Sequence, residues 1–375
     1  MQRINKEKLK AYIEEIATYD LENNKVFGSG YLVMQRGEVV YKNYFGDSSA
    51  DGKTLGDHTL FRLASMTKPI TVIAVLILVE RGMLSLEDEI AQFIPEYKTV
   101  DITKAKNGKL VNLGKIQTPI TIRHLLTHTS GIGSSDVEKN IFLSSKDKKS
   151  AWNLSKRYVE LGVDFEPAST QHYSGVAAFS VLGYIIEQVS GQSLQDFYTK
   201  EIFEPCGMEN TTFIPTKEQW LRIIEMHGRD GSGNNLTVPM QEGCVFADYP
   251  CEHCVAGAGL VSTLADYTKF ATMLFNKGKT LTGRIVSEEI FKEMSKPQVK
   301  IDPMTYWGLG VRVIGDGHPY LPKGSFGWSG AYGPHFWVDV ENEIVAIFMK
   351  NSTVDGGAGN ASSRNFESAV KRSLL

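Results

Sequence analysis

The chain has 375 residues, 42% of them hydrophobic and 22% charged, with a formal net charge of -3. These values describe a globular protein with a substantial core, and they argue against nucleic acid or an acidic membrane surface as its main partner. Four cysteines (Cys206, Cys244, Cys251 and Cys254) in so long a chain exclude a disulfide framework.

The N-terminal stretch MQRINKEKLKAYIEEIATYD sets Ile4, Leu9, Ile13 and Ile16 near helical spacing among charges, which predicts an amphipathic helix. It lacks the uninterrupted apolar segment and small-residue cleavage site of a signal peptide, so a cytoplasmic location is expected. SGYLVMQ and GEVVYKNYFG read as two strands, with a hairpin turn at Arg36-Gly37. The longest apolar run, PITVIAVLILV from Pro69 to Val79, is too short to cross a bilayer and predicts a buried helix, so no membrane partner is expected. From about 65 to 295 the pattern is mostly helical. TIRHLLTHTSG, VAAFSVLGYIIEQVSG and STLADYTKFATMLFNKG end on Gly131, Gly191 and Gly278, each suited to a left-handed helix cap. Thr263 with Asp266 predicts a capping box. Long loops are expected over 99–118 and 228–258, lying across a cleft. YWGLGVRVI, FGWSG, HFWVDV and EIVAIFMK read as further strands, with a turn at Glu341-Asn342, and a closing helix begins near Ala361.

This order, strands then a long helical insertion then strands, predicts an α/β (α+β) fold. One antiparallel sheet would be built from both chain ends, flanked by helices, with a large, mostly helical inserted lobe. The expected lobes are an α/β part of about 1–64 and 296–375 and a helical part of about 65–295, forming one domain over 1–375. Cys244, Cys251 and Cys254 cluster around His253 but lack a fourth ligand or a second paired motif, so they read as reduced thiols, with no metal and no cofactor expected.

FRLASMTKPIT carries the chemical question. Ser65 and Lys68 are one helical turn apart and share a face. A lysine among apolar neighbours is hard to keep charged, and a neutral amine beside a serine is a competent base for its hydroxyl. The plain structural alternative has Ser65 capping the helix and Lys68 snorkelling to solvent. Further along, Tyr173 stands in FEPASTQHYSG, and FGWSGAYG occupies 326–333, where glycines let a backbone approach a ligand.

With S-M-T-K at 65–68, Y-S-G at 173–175 and W-S-G at 328–330, the sequence resembles the serine β-lactamase / penicillin-binding protein superfamily. Within it the chain looks like the class C-like branch that includes carboxylesterases, and RGMLSLEDEIAQFIPEY, ITIRHLLTHTSGI, GAGLVSTLADYTKF and HFWVDVENEIVAIFMKN add to the likeness. The resemblance implies a β-lactamase/transpeptidase-like fold, Ser65 as the acylated nucleophile, Lys68 as the base activating it and Tyr173 as a partner in the proton network that serves the leaving group and the deacylating water; which of the two is the base during acylation stays open. It also implies an oxyanion hole from the backbone N–H groups of Ser65 and Ala331. Gly175, Trp328, Ser329, Gly330 and Tyr332 are then expected to bind substrate.

Two departures from the family pattern bear on the substrate. Gly175 stands where Asn is common, and Trp328 where Lys or His is common. Both losses fall on recognition of an amide and a carboxylate, so a small or medium acyl ester is expected. The alternatives are β-lactamase, D-Ala-D-Ala peptidase, other amide hydrolase or acyltransferase activity, or a catalytically silent binding protein. The oligomeric state stays open. The α/β-hydrolase signature G-x-S-x-G is absent, the nearest miss being Gly327 to Ala331. His172, the one histidine that reads as near the motifs, is expected to be a packing or polar neighbour rather than a catalytic participant, and Glu166 a turn residue.

Overall fold

The structure, a computed structural model, describes residues 2–133, 151–239 and 249–375. The two chain ends meet in one eight-stranded antiparallel sheet. Its strands are β1 (Gly28–Gln35), β2 (Glu38–Gly46), β3 (Val299–Asp302), β4 (Thr305–Trp307), β5 (Arg312–Ile314), β6 (Phe326–Ser329), β7 (His335–Asp339) and β8 (Ile344–Met349), in the order β2-β1-β8-β7-β6-β5-β4-β3. The seam between the ends is β1 against β8, with Tyr31 opposite Phe348 and Val33 opposite Ala346.

Alternation along those strands feeds two separate cores, because successive side chains point to opposite faces. Tyr31, Val33, Ile344, Ala346 and Phe348 face helices α1 (Lys6–Glu22) and α6 (Ala361–Arg372), which supply Leu9, Ile13, Phe366 and Val370. Leu32, Val345, Ile347 and Met349 face the larger core instead. There they join α2 (Lys68–Glu80), α4 (Ala177–Ser190) and α5 (Leu264–Phe275), with the short α3 (Ile122–Leu126) nearby. Helix α5 lies within 65–295 in sequence, yet Leu264 and Tyr267 pack on the sheet's inner side, Tyr267 edge-on to Phe336.

Helix α2 is buried from Lys68 to Leu78, so it is apolar all round and carries Pro69 in its first turn, where the missing N–H costs nothing. Gly191 caps α4 at φ +67. The other two expected caps fall differently. Helix α3 stops at Leu126, five residues before Gly131, because His128 already takes φ +58; α5 stops at Phe275, before Lys277 and Gly278 turn left-handed. Thr263 Oγ1 accepts from the Asp266 amide at 3.1 Å, but the Asp266 carboxylate turns to the Asn210 amide at 2.6 Å rather than closing a capping box.

YWGLGVRVI is two strands, not one: Gly310, at φ +61, reverses the chain between β4 and β5. Its amide donates to Leu126 O at 2.8 Å, and a Cβ there would lie 2.6 Å from Val72 Cγ2. The expected 99–118 loop is a hairpin, Asp101–Lys106 against Lys109–Lys115, turning at Asn107-Gly108 with both residues at positive φ. Within 228–258, His227–Arg229 pairs with Asn235–Thr237. Among the described residues Cys206, Cys251 and Cys254 form no disulfide, and Cys244 lies outside the described residues. Burial pushes the Cys206 and Cys254 thiols up to about 12, which makes them poor nucleophiles. Among the described residues no helix is long and apolar enough to cross a membrane.

Candidate active site

The chain reaches Ser65 from a two-residue strand, Phe61–Arg62, which pairs with Val261–Ser262. On the other side Asn351 imitates a strand: its side chain accepts from Arg62 N at 2.8 Å and donates to Arg62 O at 3.0 Å. Ala64 then takes φ +45, a left-handed conformation that costs a non-glycine residue on the order of 1 kcal/mol or more. The strained corner throws Ser65 into a 3₁₀ turn, Ala64–Thr67, rather than onto the α-helix itself. With three residues per turn, positions i and i+3 eclipse, and Lys68 falls directly over Ser65.

Lys68 does not snorkel; it is fully buried. Its Nζ donates to Ser65 Oγ at 3.2 Å, to Gly175 O at 2.6 Å and to Gly257 O at 2.9 Å. A Cβ on Gly257 would lie only 3.0 Å from Phe179 Cβ, so glycine keeps this carbonyl close to the core around Nζ. Tyr173 arrives from the segment before α4 and donates its phenol to Ser65 Oγ at 2.7 Å. One half-buried hydroxyl oxygen thus receives a phenol and an amine. Ser65 does not act as a side-chain cap of its turn or of α2.

An aromatic wall backs the phenol. Trp307 lies parallel to the Tyr173 ring, 5.8 Å away at 17°, and is anchored by Nε1 donating to Gln171 Oε1 at 2.9 Å. Trp328 packs on both, 5.3 Å from Tyr173 and 4.8 Å from Trp307, and its Nε1 donates to the Tyr173 hydroxyl at 3.4 Å. The indole N–H of Trp328 is therefore turned to Tyr173. The histidine against Tyr173 is His128, at 4.7 Å between centroids, whereas His172 is exposed. That corrects the expectation that His172 is the one histidine near the motifs. The misleading cue was sequence adjacency: neighbours in an extended segment point to opposite sides. Burial, with the Lys68 charge adding to it, holds the His128 pKa well below the ordinary histidine value.

The end of β6 closes the site. Gly330 N donates to Pro334 O at 2.7 Å, and a Cβ on Gly330 would sit 2.3 Å from Leu63 O, so glycine is what lets this strand lie on the Ser65 turn. The Ser65 and Ala331 amides donate to no described residue. Ala331 is exposed and Tyr332 half-buried beside it, with Tyr332 O accepting from Ser352 N at 2.9 Å. Ser329 departs from expectation. Its side chain lies on the opposite face of the sheet from Trp328, buried against His335 Nδ1 at 2.8 Å, and His335 Nε2 reaches Glu367 Oε1 at 3.1 Å. Period-two alternation makes this unavoidable once Trp328 faces the cleft. Glu166 accepts from the Gln117 and Thr118 amides, at 2.9 and 2.6 Å, and so pins the hairpin's exit.

The chain and its fold have known counterparts. The family model described as Beta-lactamase matches residues 10–368. The chain belongs to the beta-lactamase family. Protein Rv1367c of Mycobacterium tuberculosis is 28% identical over 86% of this chain and 85% of its own. Esterase EstB of Burkholderia gladioli is 26% identical over 94% of this chain and 92% of its own. The solved structure of EstCE1, titled a hydrolase with promiscuous acyltransferase activity, superposes with a TM-score of 0.80 at 23% identity, covering 98% of this chain and 99% of that one. That likeness shows the fold. The chain is thus a serine hydrolase by family, and hydrolases of this family act on small-molecule esters or amides.

Proposed function

We propose that the protein is a carboxylesterase for small or medium acyl esters, acting through an acyl-enzyme on Ser65. The carrying observation is the placement of Ser65 Oγ between Tyr173 OH and Lys68 Nζ. Two of the bonds from Nζ run to the Gly175 and Gly257 carbonyls, and the third direction points at Ser65. In the amine form that direction is the lone pair, so Lys68 takes the serine proton as Oγ attacks the ester carbonyl. The developing oxyanion is held by the free amides of Ser65 and Ala331, donors that need no reorganisation when charge appears. Tyr173 passes its proton to the departing alkoxide and is left as phenolate; the phenolate then deprotonates the water that attacks the acyl-enzyme, and Oγ recovers its proton from Lys68 as the acid leaves.

The ester preference rests on what surrounds this set. Gly175 contributes a carbonyl to Lys68 and has no side chain to hold an amide. Trp328 meets the site as an apolar plane whose N–H is directed to Tyr173. EstB, related over most of both chains, bears the name esterase. The test is hydrolysis of p-nitrophenyl butyrate and of a chromogenic cephalosporin side by side, with Ser65→Ala as control. Ester turnover lost in the variant, with little cephalosporin turnover, is the expected result; fast cephalosporin turnover would overturn the ester reading.

A further inference from the structure

We propose that His128 is a positioning residue for Tyr173, an assignment that rests on the role proposed for that tyrosine. Residues 170–174 form neither helix nor strand, so no ladder of backbone bonds fixes the phenol. His128 takes that place. Its carbonyl accepts from His172 N at 3.0 Å and its Nδ1 accepts from Ser174 N at 3.2 Å, so one residue holds the N–H groups of the residues before and after Tyr173. The ring also packs against both members of the Tyr173–Trp307 stack, 4.7 and 4.5 Å from their centroids. The restraint continues along the chain. Ser174 Oγ accepts from Ala178 N at 3.0 Å at the start of α4, and Gly175 O receives Lys68 Nζ.

Accepting at Nδ1 places the imidazole proton on Nε2. That nitrogen is buried and has no described hydrogen-bond partner. A ring kept for packing alone would need neither the unpaired N–H nor the left-handed backbone of φ +58 that turns Nδ1 toward Ser174. The cost is consistent with one acceptor being wanted at one point.

Two substitutions separate an acceptor from a filler. In His128→Asn the amide oxygen reaches the Nδ1 position, and asparagine tolerates positive φ; in His128→Gln the amide reaches only the Nε2 position. Three quantities are read on folded protein, with a thermal melt as the check on folding: kcat and KM for p-nitrophenyl butyrate, the rate of Ser65 labelling by a fluorophosphonate, and deuterium exchange over residues 170–176. Loss of the splint displaces the phenol, and kcat and labelling in His128→Gln are expected to fall by about 30-fold or more at little-changed KM, with His128→Asn within about fivefold of the parent. Exchange over 170–176 should rise in His128→Gln and return in His128→Asn. If His128→Gln does not fold, His128→Ala replaces it with the same expected result. Equal activity in both variants, or equal exchange, overturns the inference. A parent protein that hydrolyses no ester and takes no label at Ser65 would sink the proposed function instead, and the exchange data would still decide the role of His128.

Discussion

The site turns on one fully buried lysine. Lys68→Arg keeps a positive charge but supplies no lone pair, since guanidinium stays protonated. We expect its kcat for p-nitrophenyl butyrate to fall by about a thousandfold, and a variant within tenfold of the parent would rule out Lys68 as the base. Lys68→Met should also lower stability, because the Gly175 and Gly257 carbonyls lose their donor inside the core. The expected cost is about 2–4 kcal/mol in a denaturant titration. Tyr173→Phe keeps the aromatic wall and loses the 2.7 Å bond to Ser65, so kcat is expected to drop about 10²- to 10⁴-fold. An unchanged kcat would remove Tyr173 from the proton path. At this scale the sequence was informative where a side chain acts on its neighbour in a regular turn, as Ser65 and Lys68 do. It misled where sequence adjacency stood in for space. His172 is next to Tyr173 in the chain, but His128 touches it from 45 positions away, and only the folded backbone brings the two together.

Among elements, the decisive contact is the end of β6 against the Ser65 turn. Gly330 allows it because its missing Cβ would overlap Leu63 O. Gly330→Ala should push Ala331 away from Ser65 and lower kcat by about 10²-fold with a modest loss of stability. Normal turnover in that variant would show that the Ala331 amide is not an oxyanion donor. The strands of this sheet were legible because alternation and turn residues are local signals. Asn107-Gly108 was an equally local signal for the 101–115 hairpin, hidden by the exposed and polar flanks of its strands. The break of YWGLGVRVI at Gly310 was not legible, since it depends on Val72 and Leu126, far away in sequence. The facing of Ser329 followed from the same alternation that turned Trp328 toward the cleft, once the sheet was taken as the frame.

At the level of the whole molecule, the closing helix is tied to the sheet by more than apolar packing. Glu367 on α6 binds His335 of β7 and Arg312 of β5 across the face that covers the terminal helices' core. Burial would raise its pKa, but the bonds and charges of His335 and Arg312 prevail and hold it at about 2, against about 4.5 for a free carboxyl. A carboxyl whose folded pKa is depressed adds stability above its unfolded pKa and loses it as the pH falls. The loss should therefore run from about pH 4.5 down to about pH 2, amounting to a few kcal/mol. Glu367→Gln is expected to be less stable at pH 7 and to show a flatter loss across that window in urea titrations. A slope equal to the parent's would mean that other carboxyls carry the acid sensitivity. The overall architecture was readable because both chain ends carry strand patterns and the middle does not. Which helix covers which face was not, since α5 belongs to the middle in sequence and to the sheet in space.

The central claim is a covalent ester at Ser65. Intact-protein mass after rapid acid quench of a reaction with p-nitrophenyl butyrate, followed by mapping of the modified peptide, tests it most directly. The account predicts one added butyryl group per chain, located on the peptide that carries Ser65 and absent from Ser65→Ala. Turnover with no adduct under any quench, or an adduct on another residue that persists in Ser65→Ala, would contradict it.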